Sequence, residues 1–324
     1  MNQTSNSTMK ITFWGVRGSY PLPGATTLRY GGNTPCVEIE AGAHSLILDA
    51  GTGIIGLGRS LLKRNRRNLH LLFSHVHHDH TQGLPFFAPA FVPGVKLNLF
   101  APDIFTRDVL QVLAEVMQPP NFPITLRDLK ADLTTATLRE TDVILLHPNG
   151  ESSILPALFC PANLPEGTLK IRCLRGYAHP GGIMLYRIEY GDSAVAYATD
   201  LEGYVGGDRR LAAFAQNADL LIHDAQYTSE HYWGLLPGMP ATQGFGHSTP
   251  QMACQVAAAA NVGTLALFHY DPNYEDMRLD ALQAEGQRGF ANTIAPHEGL
   301  QISLGAESAL SPRVVSAGMP APLG

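Results

Sequence analysis

The segment SHVHHDHTQG, residues 74–83, constrains this chain more than any other feature, because residues 75–80 contain four histidines and an aspartate. Neighbouring imidazoles repel each other once protonated and add little hydrophobic stabilisation, so this density is typical of metal ligands. Side chains two positions apart on a tight loop can reach one ion, and the last two side chains can turn towards a second ion. The predicted ligands are His75, His77, Asp79 and His80. We expect His78 either to face solvent or to lie behind the ligands without contacting an ion.

Potential ligands or acid–base groups also follow four predicted buried strands, namely LLFS, VAYAT, LLIH and LALF. The groups that follow these strands are His75, Asp200, Asp224 and His269. Carboxyl ends of neighbouring buried strands converge on one edge of a sheet, where loops can enclose a site. Strands outnumber helices and alternate with them, and several strands are almost entirely apolar, as in sheets covered by helices. The pattern predicts an α/β fold with one site at a sheet edge.

The composition is that of an ordinary globular protein, with 45% hydrophobic residues and a net charge of −6 over 324 residues. This negative charge argues against an extended nucleic-acid surface, which needs a clear basic excess. The four cysteines form no CxxC pair, so we expect buried free thiols. No signal-peptide core and no apolar run of about 18 residues is present, which predicts a cytoplasmic protein without a membrane partner.

We predict a single domain over residues 10–305, between a flexible N-terminus at 1–9 and a flexible tail at 306–324. Apolar spacing predicts a helix over 103–117 with Asp103 as its N-cap. Another helix is predicted to begin at Pro250, with Thr249 as its N-cap. Residues 120–170 show only short strand-like pieces between prolines.

The segment SHVHHDHTQGLP resembles the signature loop of the metallo-β-lactamase fold superfamily, and the resemblance spans about residues 10–305. It implies an αββα sandwich, with two mixed sheets flanked by helices and a binuclear metal site. It also implies that His179 in YAHPGG completes one metal site, that Asp200 bridges both ions, and that His269 in LFHYDP completes the second site. Asp49 in LILDAGTG resembles the family's aspartate beneath the metal loop, which orients the ligand imidazoles or the loop, and an ordinary turn or cap carboxylate is the competing interpretation.

This donor set predicts two divalent ions as cofactors. Imidazoles with carboxylates suit Zn²⁺ first, while Mn²⁺, Fe and Ni²⁺ accept the same types of ligand. Two such ions can hold a hydroxide and stabilise the anionic oxygens of a transition state. We therefore expect a metal-dependent hydrolase.

The bond that is cleaved is a separate question, because the superfamily acts on β-lactams, thioesters, lactones and phosphodiesters and also includes redox enzymes. An aspartate at the bridging position, Asp200, disfavours β-lactamases, which commonly have a cysteine there. His77 disfavours the diiron oxygen reductases, which usually carry glutamate at that position. Glyoxalase II and some lactonases share the ligand set, so a lactonase or thioesterase remains the alternative.

LIHDAQYT and GFGHST resemble two motifs of tRNA 3′-processing endonucleases and related phosphodiesterases. The resemblance implies that His247 acts as a general acid or phosphate contact and that Asp224 orients it. The tRNA enzymes have glutamate where Asp224 stands, and a simple pre-helix capping residue is the competing interpretation of His247. Those enzymes also carry a basic, glycine-rich arm, and we find no such arm here. The basic run KRNRR is expected to be a solvated helix end.

The opening TFWGVRGSY, together with HPGG and HST, resembles a bacterial subgroup grouped with cyclic-nucleotide or cyclic-phosphate phosphodiesterases. Arg17 could bind a phosphate with two hydrogen bonds, and a structural ion pair is the alternative. Dimers are common among such relatives, so a homodimer is expected. The sequence thus predicts a phosphodiesterase for a small, cyclic or linear, phosphodiester. A tRNA 3′-processing endonuclease and a metal-bound sensor without turnover are lesser alternatives.

Overall fold

The computed structural model describes residues 8–103, 109–120, 122–204, 206–305 and 313–316. Within these residues the strands form two eight-stranded sheets. The strands of the first sheet are β1 (Met9–Gly15), β2 (Cys36–Ala41), β3 (His44–Leu48), β4 (Asn68–Leu72), β5 (Lys96–Pro102), β6 (Asp132–Leu138), β15 (Leu300–Leu304) and β16 (Arg313–Ser316). Their order across the sheet is β16-β15-β1-β2-β3-β4-β5-β6.

The second sheet is formed mainly by the second half of the chain. Its strands are β7 (Asp142–Leu146), β8 (Ser152–Pro156), β9 (Leu169–Gly176), β10 (Ile183–Tyr190), β11 (Ser193–Ala198), β12 (Leu220–Asp224), β13 (Thr264–Phe268) and β14 (Thr293–Ile294). Their order is β14-β13-β12-β11-β10-β9-β7-β8.

Helices cover the outer faces of both sheets. They are α1 (Gly53–Lys63), α2 (His78–Thr81), α3 (Val109–Val116), α4 (Arg209–Phe214), α5 (Ser229–Tyr232), α6 (Pro250–Ala259) and α7 (Asp276–Gly289). Short 3-10 turns lie at Ala25–Thr27, Leu84–Phe86, Ala88–Phe91, Leu126–Asp128 and Ala157–Phe159.

Alternation along the strands separates two hydrophobic layers, because successive side chains of a strand point to opposite faces. On β3, Leu46 and Leu48 belong to the main core, which also contains residues of the second sheet and of α6. Ile47 between them belongs to a separate cluster with Ile54 and Leu57 of α1. The predicted αββα sandwich of two mixed sheets is confirmed.

Parallel pairing brings the ends of the strands that carry polar groups to one edge of each sheet. β3 pairs in parallel with β4, and β11, β12 and β13 pair in parallel with one another. The segments after β3, β4, β11 and β13 contain Asp49, His75, Asp200 and His269, respectively. Asp224 is the last residue of β12. The predicted site at a sheet edge therefore follows directly from the topology.

Several local predictions can be compared with the described residues. α6 begins at Pro250, and the Thr249 side chain accepts a hydrogen bond from the Met252 amide, as predicted. The predicted helix over 103–117 is observed as α3, whereas 104–108 lie outside the described residues, so the N-cap at Asp103 stays a prediction. Residues 120–170 contain three regular strands, β6, β7 and β8. Helix α7 was not predicted, because few apolar side chains mark its buried face.

The domain boundaries remain predictions. Within the predicted tail 306–324, the structure describes only β16, which pairs antiparallel with β15. The predicted N-terminal segment 1–9 is described from residue 8 onward. In the described ranges, none of the helices has the length and apolar character that a membrane span requires. All four cysteines are free and three of them are buried, as predicted, whereas Cys160 is only partly buried because it follows an exposed turn at Ala157–Phe159.

Candidate metal centre

The described residues contain four overlapping groups of side chains that could hold a metal ion; two of them include His247, and the other two contain the predicted ligands and are here called the two clusters. The first contains His75, His77 and His179, and the second contains Asp79, His80, Asp200 and His269. All seven ligands predicted from the sequence are therefore brought together, although they lie up to 194 positions apart in the chain. His78 belongs to neither cluster and is exposed.

Imidazole nitrogens of the first cluster approach one another closely. Nε2 of His179 lies 3.0 Å from Nδ1 of His77. The ring of His75 stands 4.4 Å from that of His77, centre to centre. Nε2 of His75 is buried and has no hydrogen-bond partner within the described residues, whereas its Nδ1 lies 3.0 Å from the Ser74 hydroxyl. A buried nitrogen lone pair that faces other imidazoles is what a metal ligand requires.

The second cluster converges on a smaller volume. Nε2 of His269 lies 3.1 Å from Oδ2 of Asp79 and 3.2 Å from Oδ1 of Asp200. Nε2 of His80 lies 3.2 Å from Nε2 of His269. Separations of this size match the edge of a tetrahedron whose ligands lie about 2.0–2.1 Å from a central ion. These residues therefore fit a divalent cation.

The charges of the clusters support the same conclusion. Although burial opposes ionisation, His269, His80 and His75 hold the pKa of the Asp200 carboxyl well below its usual range. Burial also disfavours the protonated form of His80, but the carboxylates of Asp200, Asp79 and Asp49 raise its pKa well above the usual value, so a bound cation would replace that proton. Burial and the neighbouring His80 lower the pKa of His75. Its imidazole therefore stays neutral, and a nitrogen lone pair is available to bind a metal ion. Ionised buried carboxylates beside a neutral imidazole form a donor set that attracts a cation.

Three of the residues at the site have a backbone in the left-handed region, a conformation that is rare for residues other than glycine. They are Asp49 with φ 62°, Asp200 with φ 52° and His269 with φ 65°. Asp49 directly follows β3, His269 directly follows β13, and Asp200 is the second residue after the end of β11. This conformation costs on the order of 1–3 kcal/mol at each residue and persists where surrounding contacts enforce it.

Asp49 lies beneath the metal loop, where the resemblance predicted it. Its carboxylate accepts hydrogen bonds from the Ser74 amide at 2.7 Å, from the Ser74 hydroxyl at 2.8 Å and from the Tyr197 hydroxyl at 2.7 Å. Oδ2 also lies 2.9 Å from Nδ1 of His80. The aspartate thus holds both the start of the loop and one imidazole, which fits the predicted orienting role.

Asp224 and His247 form a second pair at the edge of the two clusters. Nδ1 of His247 lies 2.7 Å from Oδ2 of the fully buried Asp224. Oδ1 of Asp224 accepts hydrogen bonds from the amides of Ser248 and Gln226. Burial disfavours the protonated form of His247, but the carboxylates of Asp224, Asp200 and Asp79 together raise the pKa of the imidazole, with Asp224 contributing most. The ring of His247 stacks on that of His269 at 5.0 Å.

Arg17 does not face the site, contrary to the prediction that it binds substrate. It is fully buried, and its guanidinium donates hydrogen bonds to the carbonyl oxygens of Gly31, Asp271 and Tyr274. Burial lowers the pKa of the guanidinium. Arg17 therefore connects the β1–β2 loop to the segment after β13. The sequence alone does not show which side of the glycine turn is covered by later residues, so it did not reveal that Arg17 is buried.

Two polar residues were missed in the sequence. Oε1 of Gln226 lies 2.9 Å from Nδ1 of His269 and accepts a hydrogen bond from its N–H. Glu202 accepts hydrogen bonds from the loop that carries His247. The available signal was position, because Gln226 lies two residues after Asp224 and Glu202 lies two residues after Asp200.

The fold and the two convergent clusters define a metal-dependent hydrolase with a metallo-β-lactamase fold. A family model described as the beta-lactamase superfamily domain matches residues 44–270, so the chain belongs to the β-lactamase superfamily. The resemblance predicted from the metal loop is confirmed.

Relatives and solved structures extend this result. Ribonuclease Z of Picrophilus torridus is 27% identical over 305 residues, which cover 84% of this chain and 89% of the relative. The metallo-β-lactamase fold protein YhfI from Bacillus subtilis superposes with a TM-score of 0.66 at 20% identity and covers 92% of this chain and 100% of that structure. A diphosphatase of the PhnP family gives a TM-score of 0.59 at 16% identity, with 90% and 96% covered.

Proposed function

We propose that this protein is a binuclear metal-dependent phosphodiesterase that acts on a small phosphodiester, cyclic or linear. The observation that carries the proposal is the pair of Asp224 and His247, 2.7 Å apart, at the edge of the two ligand clusters. A phosphodiester leaving group departs as an alkoxide and needs a proton, which a carboxylate-supported imidazole can supply.

The seven clustered side chains would hold the two ions, with Asp200 between them, and we propose Zn²⁺ because imidazoles dominate the set. When bound, such ions supply a nucleophile at neutral pH and neutralise charge on the phosphoryl oxygens. His269 receives support from Gln226, and His80 from Asp49, so both imidazoles keep Nε2 directed at the cluster.

His247 would act as the general acid. Its Nδ1–H donates to Asp224, which leaves Nε2 as the atom that holds and transfers a proton. The raised pKa keeps more of the imidazole protonated near neutral pH, as an acid catalyst requires. The buried Asp224 fixes the ring because it also accepts two backbone amides.

Two features support a small substrate. The basic run at 63–67, predicted as a solvated helix end, is exposed at Lys63 and Arg67, but two of its cations are neutralised within the protein, since Arg64 contacts Glu38 and Glu40 and Arg66 contacts Glu40. The segment 233–246, which leads to His247, contains no charged residue and exposes Trp233 and Phe245, each 53% accessible. An uncharged, partly aromatic rim suits a phosphodiester with an apolar or ring-shaped substituent better than a polyanion.

The second candidate is a ribonuclease that processes tRNA 3′ ends, which the similarity to ribonuclease Z of Picrophilus torridus favours. A lactonase or thioesterase is the third, although a carboxyl ester needs less help at its leaving group. The expected homodimer can be checked by light scattering after gel filtration.

A substrate panel separates these functions. The metal-loaded protein is assayed with bis(p-nitrophenyl) phosphate, cyclic nucleotides, a precursor tRNA, a thioester, a lactone and a β-lactam, and its metal content is measured by elemental analysis. We expect the small phosphodiesters to give the highest kcat/KM. Preferred cleavage of the precursor tRNA would support the second candidate, and preferred ester turnover would overturn the proposal.

A further inference from the structure

Glu202 connects three parts of the candidate site through one carboxylate. It lies in the segment after β11, two residues beyond Asp200. Oε1 accepts hydrogen bonds from the Tyr232 hydroxyl at 2.6 Å and from the Gly244 amide at 2.8 Å. Oε2 accepts one from the Gly246 amide at 3.0 Å. Hydrogen bonds to an ionised acceptor are about twice as strong as those between neutral groups.

The segment 233–246, here called the glycine loop, depends on this anchor. Four of its glycines have positive φ angles, namely Gly234, Gly238, Gly244 and Gly246. A backbone hydrogen bond from Thr242 to Tyr232 closes the base of the loop. Such a glycine-rich segment has a large conformational entropy, so fixed contacts are needed to hold one geometry.

The anchored end of the loop touches the first metal cluster. The Gly246 carbonyl oxygen lies 3.0 Å from Nδ1 of His179 and accepts a hydrogen bond from its N–H. This bond selects the tautomer whose Nε2 is free, and Nε2 lies 3.0 Å from Nδ1 of His77. The contact is close, because a Cβ on Gly246 would lie 2.5 Å from Nδ1 of His179. The residue after Gly246 is His247.

We propose that Glu202 is a positioning residue that holds the Gly246 carbonyl against His179 and thereby sets the metal affinity of the cluster formed by His75, His77 and His179. The inference rests on the proposed metal ligands and adds a residue to which no role has been assigned. The other cluster is supported by Asp49, Gln226 and the Ser19 amide, none of which contacts the glycine loop through a described hydrogen bond. Loss of Glu202 should therefore weaken one of the two ions selectively.

The test measures metal retention rather than turnover. The Zn²⁺-loaded full-length protein and the variants Glu202→Ala and Glu202→Gln are mixed with a chromophoric chelator, and the two release phases are followed. For Glu202→Ala we expect the affinity for one ion to fall by about 10- to 100-fold while the second ion keeps its wild-type affinity. Glu202→Gln keeps an acceptor oxygen and should show a smaller loss.

Two matched variants control the experiment. Glu189→Ala removes a half-buried carboxylate of β10 that pairs with Lys170 and Arg187, and both ions should be retained. Tyr232→Phe removes only one of the three donors to Glu202, so its effect should be smaller than that of Glu202→Ala.

A second measurement, on Glu202→Gln, tests the inference in case Glu202→Ala folds poorly. Imidazole nitrogen NMR of the Glu202→Gln protein should show a shifted or exchange-broadened His179 Nδ1–H signal, with the His269 signal unchanged. Retention of both ions at wild-type affinity in a folded variant, with an unchanged His179 signal, would overturn the inference. Neither measurement uses a substrate. A negative result in the substrate panel would therefore not affect the conclusion about Glu202.

Discussion

The Asp49 side chain holds other residues of the candidate site in place, although it is not one of the predicted metal ligands. One carboxylate accepts three hydrogen bonds and also lies against Nδ1 of His80. An amide of the same shape keeps only one acceptor oxygen, and its NH₂ group would face donors. Removal of a partner that orients a metal ligand typically costs 10- to 100-fold in metal affinity.

We therefore expect Asp49→Asn to lower metal affinity by about 10- to 100-fold, measured by chelator competition. The control is Tyr197→Phe, which removes one donor to Asp49 and leaves the carboxylate in place. Equal metal affinity of Asp49→Asn and the wild-type protein would contradict the orienting role.

The proposed role of His247 as the general acid can also be tested with a single substitution. His247→Ala should lower phosphodiester kcat by about 10²–10⁴-fold, because the leaving oxygen loses its proton donor, while the metal content stays unchanged. His78→Ala is a suitable control, since this exposed histidine of the metal loop lies outside both clusters. Loss of metal in His247→Ala would instead place His247 among the ligands.

Among the elements, the loop after β1 approaches the second cluster without contributing a ligand side chain. The Ser19 amide donates to Oδ2 of Asp79 at 2.8 Å. A Cβ on Gly18 would lie 2.4 Å from Cε1 of His269 and 2.5 Å from its Nδ1. The element thus works through close backbone approach, which only glycine permits at this position.

Gly18→Ala should displace the His269 imidazole and lower both metal affinity and kcat. Gly24→Ala is the matched control in the same loop, because its backbone is extended and its nearest neighbour to an added Cβ lies 4.0 Å away. We expect the two variants to differ in zinc content by elemental analysis. Wild-type zinc content in Gly18→Ala would show that the loop gives way without disturbing His269.

At the scale of the whole molecule, a buried histidine links stability to pH. His70 on β4 is 1% exposed, and its ring stacks on Phe100 of β5. Neither ring nitrogen has a hydrogen-bond partner within the described residues. Burial, with a smaller effect of His44, lowers the pKa of His70 to about 4. The folded protein therefore keeps this imidazole neutral where the unfolded chain would protonate it.

The sign of the pH effect follows from proton binding. Between pH 6.5 and about 4 the unfolded state binds more protons at His70, so the free energy of unfolding decreases as the pH falls through this range. The expected contribution is on the order of 3 kcal/mol. Urea denaturation at several pH values should show a smaller decrease for His70→Phe than for the wild-type protein. Identical pH slopes for the two proteins would contradict this account.

The sequence determined the ligand types and their elements, because metal chemistry and strand periodicity are local properties. The dense loop at 75–80 and the polar residues after LLFS, VAYAT, LLIH and LALF were sufficient to predict an α/β fold with a site at a sheet edge, whereas the sandwich was implied by the family resemblance. Thr249 and Pro250 marked the start of α6 for the same reason, since capping depends on adjacent residues.

Only the tertiary structure decided the environment of each side chain. Arg17 looked available to a phosphate, yet three carbonyls from distant segments surround its guanidinium. Gln226 and Glu202 looked ordinary, yet they support His269 and the glycine loop. The physical reason is that burial and hydrogen-bond partners come from segments far apart in the chain, and local pattern carries no information about which of them meet.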